Sequence, residues 1–184
     1  MNPERRKYLV FAIVAAVTIV LDQWTKSLAR EALRPIGYGG RKVIDGYFTL
    51  RYSENTGVAF GMLQTLPGGR LVLTLIALLA LALVVYYLRR TPPEHKRLQL
   101  ALGLVGGGAI GNLVDRIVFG GVTDFLVFDL GFWPFNPWPA FNVADAALVV
   151  GVGLMAIDMA RPPRTADDEA VPDPAGKPAT GKRS

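Results

Sequence analysis

The chain has 184 residues, 51% of them hydrophobic, and carries 20 Lys and Arg against 15 Asp and Glu, a formal net charge of +5. With a mean hydropathy of +0.32 it is too apolar for an ordinary soluble domain of this length and reads as a membrane protein. It has no cysteine, which excludes thiol catalysis, disulfides and thiolate metal sites together. The basic residues form no patch interleaved with aromatics, which speaks against nucleic acid as a partner.

A transmembrane helix needs roughly 20 mostly apolar residues. After a basic lead (Arg5, Arg6, Lys7), four segments meet that need or nearly so: about 8–28, 71–88, 98–118 and 139–158. The lead and first span imitate a secretory signal peptide, with Ser27-Leu28-Ala29 as a small-x-small site. The polar stretch Asp22-Gln23-Trp24-Thr25-Lys26 argues for a segment kept for use instead. Between spans one and two, a β-rich loop at about 36–66 contains a run from Lys42 to Tyr52 of aromatic and β-branched residues bounded by glycines. This predicts short strands in a small sheet on the membrane surface, whose edge can pair with an extended peptide.

Pro92-Pro93 marks a tight turn between spans two and three. In span three, Gly103, Gly107 and Gly111 recur at i, i+4 and i+8, the spacing of a close helix-packing seam in lipid. The loop before span four carries Phe125, Phe128, Phe132, Trp133, Phe135 and Trp138, an interfacial aromatic belt that can also line an entry for a lipid-bearing substrate. Residues 161–184, rich in Pro, Ala and charge, read as a disordered tail. Arg5, Arg6, Lys7, Arg89, Arg90, Lys96, Arg97, Arg161 and Arg164 flank the spans so that both termini face the cytoplasm. Anionic lipid headgroups are the natural partners of those flanks. The loop after span one breaks the pattern with Arg34, Arg41, Lys42 and Arg51.

The chemistry follows by elimination. The single histidine, His95, sits in the turn between spans two and three, far from the polar residues at the other ends of the spans, so a Ser-His-Asp triad has no base. A metal site of His and carboxylates lacks its histidines. A Ser27–Lys26 dyad is the remaining serine option, although adjacent helix residues point in different directions. Carboxylates are left. Asp124 lies just past span three and Asp145 near the start of span four, at one membrane surface. Carboxylates at membrane depth are costly and mark function by default. A pair in a shared, partly dehydrated site has its ionisations pushed apart. The ionised member can activate water, and the protonated member can polarise a carbonyl and protonate a leaving amine. Asn112 with Asp115, and Asn142 with Asp145, share helix faces at i, i+3. Arg116 can bind a substrate carbonyl, or pair with Asp115 or snorkel. Asp22 and Lys26, at i, i+4, read as a local ion pair. The rival readings are a small proton or ion conductor using Asp22, Asp115, Asp124 and Asp145 as relays, and a non-catalytic scaffold.

Five blocks, in order, resemble the lipoprotein signal peptidases, or signal peptidase II. They are Asp22-Gln23-Trp24-Thr25-Lys26, Asn55-Thr56-Gly57-Val58-Ala59-Phe60-Gly61, the stretch from Gly107 to Arg116, Val122-Thr123-Asp124-Phe125, and Phe141-Asn142-Val143-Ala144-Asp145. The resemblance implies an α-helical polytopic membrane protein with four transmembrane helices, a small β-cradle and an aromatic loop on the periplasmic face of the bacterial inner membrane. It implies an aspartic endopeptidase that removes signal peptides from prolipoproteins, cutting before the diacylglyceryl-cysteine, without metal or other cofactor and blocked by globomycin. The family's dyad falls on Asp124 and Asp145. Its substrate-binding and supporting positions fall on Asp22, Asn55, Gly57, Asn112, Asp115, Arg116 and Asn142. Residues 1–160 form one peptidase domain on this reading.

Overall fold

In the computed structural model, residues 1–56, 69–132 and 137–160 are described; Gly57, Trp133, Phe135, the rest of the β-rich loop to 66 and the 161–184 tail lie outside them. Four helices follow one another along the chain: α1 (Pro3–Ala32), α2 (Gly69–Arg90), α3 (Lys96–Val118) and α4 (Val143–Met159). The first three are long and apolar enough to cross a membrane. α4 has 17 residues, a span of about 25 Å, at the lower end of what a bilayer core requires.

The helix of the fourth apolar segment starts at Val143, later than the run beginning at 139. The reason is local. Phe141 is tied into the sheet by three backbone hydrogen bonds to Phe125 and Leu126, so its backbone is extended. Asn142 then caps α4, accepting from the Asp145 N–H while the Asp145 carboxylate accepts from the Asn142 N–H. This reciprocal pairing is the capping box. At the other extreme α1 runs further than expected, to Ala32.

α3 is central, packing against α1, α2 and α4. Its glycines make the closeness possible. A methyl group added at Gly103 would meet Val14, one at Gly107 would meet Thr18 and the Ala15 carbonyl, and one at Gly111 would meet the Asp22 carboxylate. The predicted seam is therefore the α1–α3 interface. A second seam joins α3 to α4, where Gly108 abuts the Ala144 carbonyl and Gly151 abuts the Ala101 carbonyl. Val84, Leu88, Leu102 and Val105 form the apolar core at the end of the bundle where α2 turns into α3.

At the opposite end sits a three-stranded antiparallel sheet in the order β1 (Arg41–Ile44), β2 (Phe48–Asn55), β3 (Val122–Phe128). β1 and β2 are the strands expected after the first span. β3 comes from the loop before α4 and pairs with β2 from Phe48↔Phe128 to Asn55↔Val122, with an irregularity between Leu50 and Ser53. The sheet docks on the end of α1 through Ala29, Leu33 and Phe125. Phe125 is thus a buried core residue and not part of an interfacial belt, because β3 needs an apolar anchor against α1. Phe128 stacks on Phe48 at 4.6 Å and lies 5.9 Å from Phe141, while Phe132 stays exposed.

Candidate active site

α1 brings a charged stripe to the sheet end of the bundle. Asp22, Lys26 and Arg30 recur every four residues and so share one helix face. Asp22 and Lys26 are both fully buried, with Lys26 Nζ 2.8 Å from Asp22 Oδ2. The pair is more than local. Lys26 also donates to Asn112 Oδ1 at 2.8 Å and lies 3.5 Å from Asp115 on α3. Asp115 is held from three more directions: Gln23 Nε2 at 3.1 Å, the Thr123 backbone N–H at 2.9 Å and Arg30 at 3.6 Å. Arg30 also donates to the Thr123 hydroxyl at 2.9 Å. Asp22 reaches across to accept the Ala144 N–H at 2.9 Å in the first turn of α4. Two buried carboxylates are thus met by two cations, the arrangement that makes buried charge tolerable.

Asp124 and Asp145 lie beside this neutralised cluster. Among the described residues each carboxylate is held by two N–H donors, one of which comes from Asn142 in both cases. The Asn142 side chain donates to Asp124 Oδ1 at 2.7 Å, and its backbone N–H donates to Asp145 Oδ2 at 3.2 Å. The second donor to Asp124 is Asn55 at 3.1 Å; the second donor to Asp145 is Asn112 at 2.8 Å. Asp124 sits on β3, outside the spanning helices, and is 3% exposed. Burial, and then the charge of Asp145, push its carboxyl up to about 7. Both effects disfavour the charged form.

The expected site residues Asp22, Asn55, Asn112, Asp115, Asp124, Asn142 and Asp145 therefore converge. Arg116 donates to the Asn112 carbonyl at 3.2 Å and feels the charges of Asp145 and Asp124. Among the described residues Arg116 makes no salt bridge with Asp115, because the Asp115 carboxylate turns toward Lys26 and Arg30. Gln23, Arg30 and Thr123 were not singled out from sequence. The four-residue recurrence from Asp22 through Lys26 to Arg30 was the available signal. Ser27 is exposed while Lys26 is fully buried, so they form no dyad, and His95 is exposed at the far end of the bundle, before α3. Among the described residues no three His, Cys, Asp or Glu side chains are grouped to hold a metal ion. The relay reading is disfavoured, since the four aspartates gather at one end and, among the described residues, no carboxylate is buried at the other, where Val84, Leu88, Leu102 and Val105 pack together.

A membrane bundle that separates a compensated ion-pair cluster from two amide-held carboxylates has the equipment of a membrane-embedded aspartic hydrolase. The family profile described as signal peptidase (SPase) II matches residues 14–161, and the chain belongs to that family. The lipoprotein signal peptidase of Symbiobacterium thermophilum is 45% identical over 147 residues, 80% of this chain and 91% of the relative. That of Geobacter metallireducens is 40% identical over 157 residues, 85% and 94% of the two chains. A bacterial membrane enzyme solved by the in meso method at 1.9 Å superposes with a TM-score of 0.71 at 27% identity, covering 83% of this chain and 94% of the other.

Proposed function

We propose that the chain removes the signal peptide from diacylglyceryl-modified prolipoproteins, cutting before the lipidated cysteine, with Asp124 and Asp145 as the catalytic pair. The observation that carries this reading is the shared bracket. One residue, Asn142, donates to both carboxylates from two different groups, so the two are positioned against each other by a single rigid helix cap. Near neutral pH the pair holds one proton between its members. The ionised carboxylate takes a proton from water as the water oxygen attacks the scissile carbonyl carbon. The protonated one donates to the carbonyl oxygen. Collapse of the tetrahedral intermediate breaks the C–N bond and passes a proton to the departing cysteine amine. Asn55, Asn112 and Asn142 hold the carboxylates and, with Arg116 and Gly57, are the substrate-binding positions, and Asp22 and Asp115 support the cluster.

The same reading sets the enzyme in the bacterial inner membrane as one domain over residues 1–160, with both termini and the 161–184 tail cytoplasmic and the site at the periplasmic face. There the lipid tails of the substrate stay in the bilayer while the peptide reaches water. It also makes the enzyme a target of globomycin. The test is cleavage of a diacylglyceryl-modified prolipoprotein by the purified chain in detergent. Asp124→Asn and Asp145→Asn should each abolish cleavage while keeping the thermal transition. Undiminished cleavage in either variant removes that residue from the chemistry.

A further inference from the structure

Behind β3, on the face away from the paired aspartates' amide donors, a cleft of about 130 Å³ opens between the end of α1, β2 and the end of α3. Two arginines line it. Arg30 is held in place by Thr123 and lies 4.1 Å from the Phe119 ring centroid. Arg34 lies 5.7 Å from the Tyr52 ring centroid, within cation–π range, and has no ion-pair partner among the described residues. Opposite stands one carboxylate, Glu54, whose Oε2 accepts from the Tyr52 hydroxyl at 3.4 Å. Arg30 is already paired with Asp115 at 3.6 Å, so the charges the cleft has to offer are one cation, Arg34, and one carboxylate, Glu54, a pair that matches a zwitterion.

Its depth is set by its surroundings. Ile117 and Val118 on the last turn of α3 and Phe119, which caps it, are 68%, 63% and 48% exposed, and Trp24 and Leu28 on α1 are also exposed. Apolar side chains exposed at a helix end of a membrane protein face lipid, and an exposed Trp marks the interface. The cleft therefore opens at the level of the lipid headgroups. Its volume equals about four waters at ~30 Å³ each, which suits a headgroup and leaves the acyl chains outside.

We propose that this cleft binds the headgroup of an aminophospholipid. Arg34 takes the phosphodiester, the group for which a guanidinium fork is best shaped. Glu54 accepts from the primary ammonium. The diacylglyceryl thioether of the proposed substrate has no phosphate, so this is a second lipid site, separate from the reaction. Burial and the Glu54 charge hold the Tyr52 hydroxyl above its ordinary range, in keeping with its donation to Glu54.

The experiment is thermal unfolding of the full chain in an uncharged detergent, titrated with dihexanoyl phosphatidylethanolamine, the matching phosphatidylcholine, the matching phosphatidylglycerol and sodium phosphate. Phosphatidylethanolamine should raise Tm by about 3 °C or more at saturation. Phosphatidylcholine, which has no ammonium N–H for Glu54, should raise it less. Arg34→Gln, at an exposed position outside the catalytic cluster, should lose the rise. Glu54→Gln should keep a rise but lose the preference for phosphatidylethanolamine over phosphatidylglycerol. An equal rise in Arg34→Gln and the unmodified chain, equal rises for all three lipids, or no rise at all overturns the proposal. A full-sized rise with sodium phosphate alone reassigns the cleft to free phosphate and overturns the lipid assignment.

Discussion

Lys26 is the residue on which the buried charges balance. It touches Asp22, Asn112 and Asp115 at once, so its removal leaves two buried carboxylates with only the partly buried Arg30 between them. Leaving a buried charge unpaired costs about 3–5 kcal/mol. Lys26→Met should therefore lower Tm in detergent far more than Arg34→Gln does; equal Tm values would remove Lys26 from its structural role. Asp124 yields the opposite prediction. Its ordinary value is 3.8 and the folded value is about 7, so the folded chain binds the proton more tightly than the unfolded one. The stability this residue contributes is fully present below its ordinary value and is lost as pH rises through about 7. Asp124→Asn should therefore gain in Tm relative to the unmodified chain between pH 5 and pH 8; an unchanged difference would mean that the carboxyl is not held protonated. For the same reason kcat/KM for cleavage should fall above about pH 7, as the pair gives up its last proton, and a level profile from pH 6 to 9 would contradict the shared-proton scheme.

At the scale of elements, the glycine seam of α3 was legible because a four-residue repeat of a residue without a side chain has few other uses inside a span. Gly107→Leu should separate α1 from α3, since even a methyl group there meets the Ala15 carbonyl at 2.8 Å. Overpacking of this kind costs typically 1–3 kcal/mol. The expected outcome is a lowered Tm with loss of cleavage, whereas Gly153→Leu, where an added methyl group meets nothing within 4 Å, should be neutral. β3 was not legible. Val122–Phe128 is buried on both faces over its first four residues, so it lacks the alternation that marks a half-buried strand. Its partner β2 lies about seventy residues earlier, so no turn signal announces the pairing. The start of α4 was blurred for a related reason: Phe141 is apolar, but its backbone belongs to the sheet. Hydropathy reports which residues avoid water and not which backbone bonds they make.

At the scale of the whole molecule, the four helices, the placement of Asp124 and Asp145 at one end of the bundle, and Asn112 and Asn142 beside them were readable from composition and spacing, whereas Asn55 came only with the family resemblance. The convergence of Arg30, Gln23 and Thr123 on Asp115 was not, because it depends on how β3 folds back against α1. The proposed orientation can be checked cleanly, since the chain has no cysteine of its own. His95→Cys should be labelled by a membrane-impermeant maleimide only after the cytoplasmic side is opened, and Val43→Cys, exposed on β1, should be labelled in intact spheroplasts. The reverse pattern would invert the topology. One contact has a consequence in time. The carboxylate that receives the Ala144 N–H belongs to α1, and the N–H belongs to α4, made 122 residues later. The centre cannot close until the fourth helix has entered the bilayer and met the first, so a half-made chain carries its cutting machinery in an unassembled form.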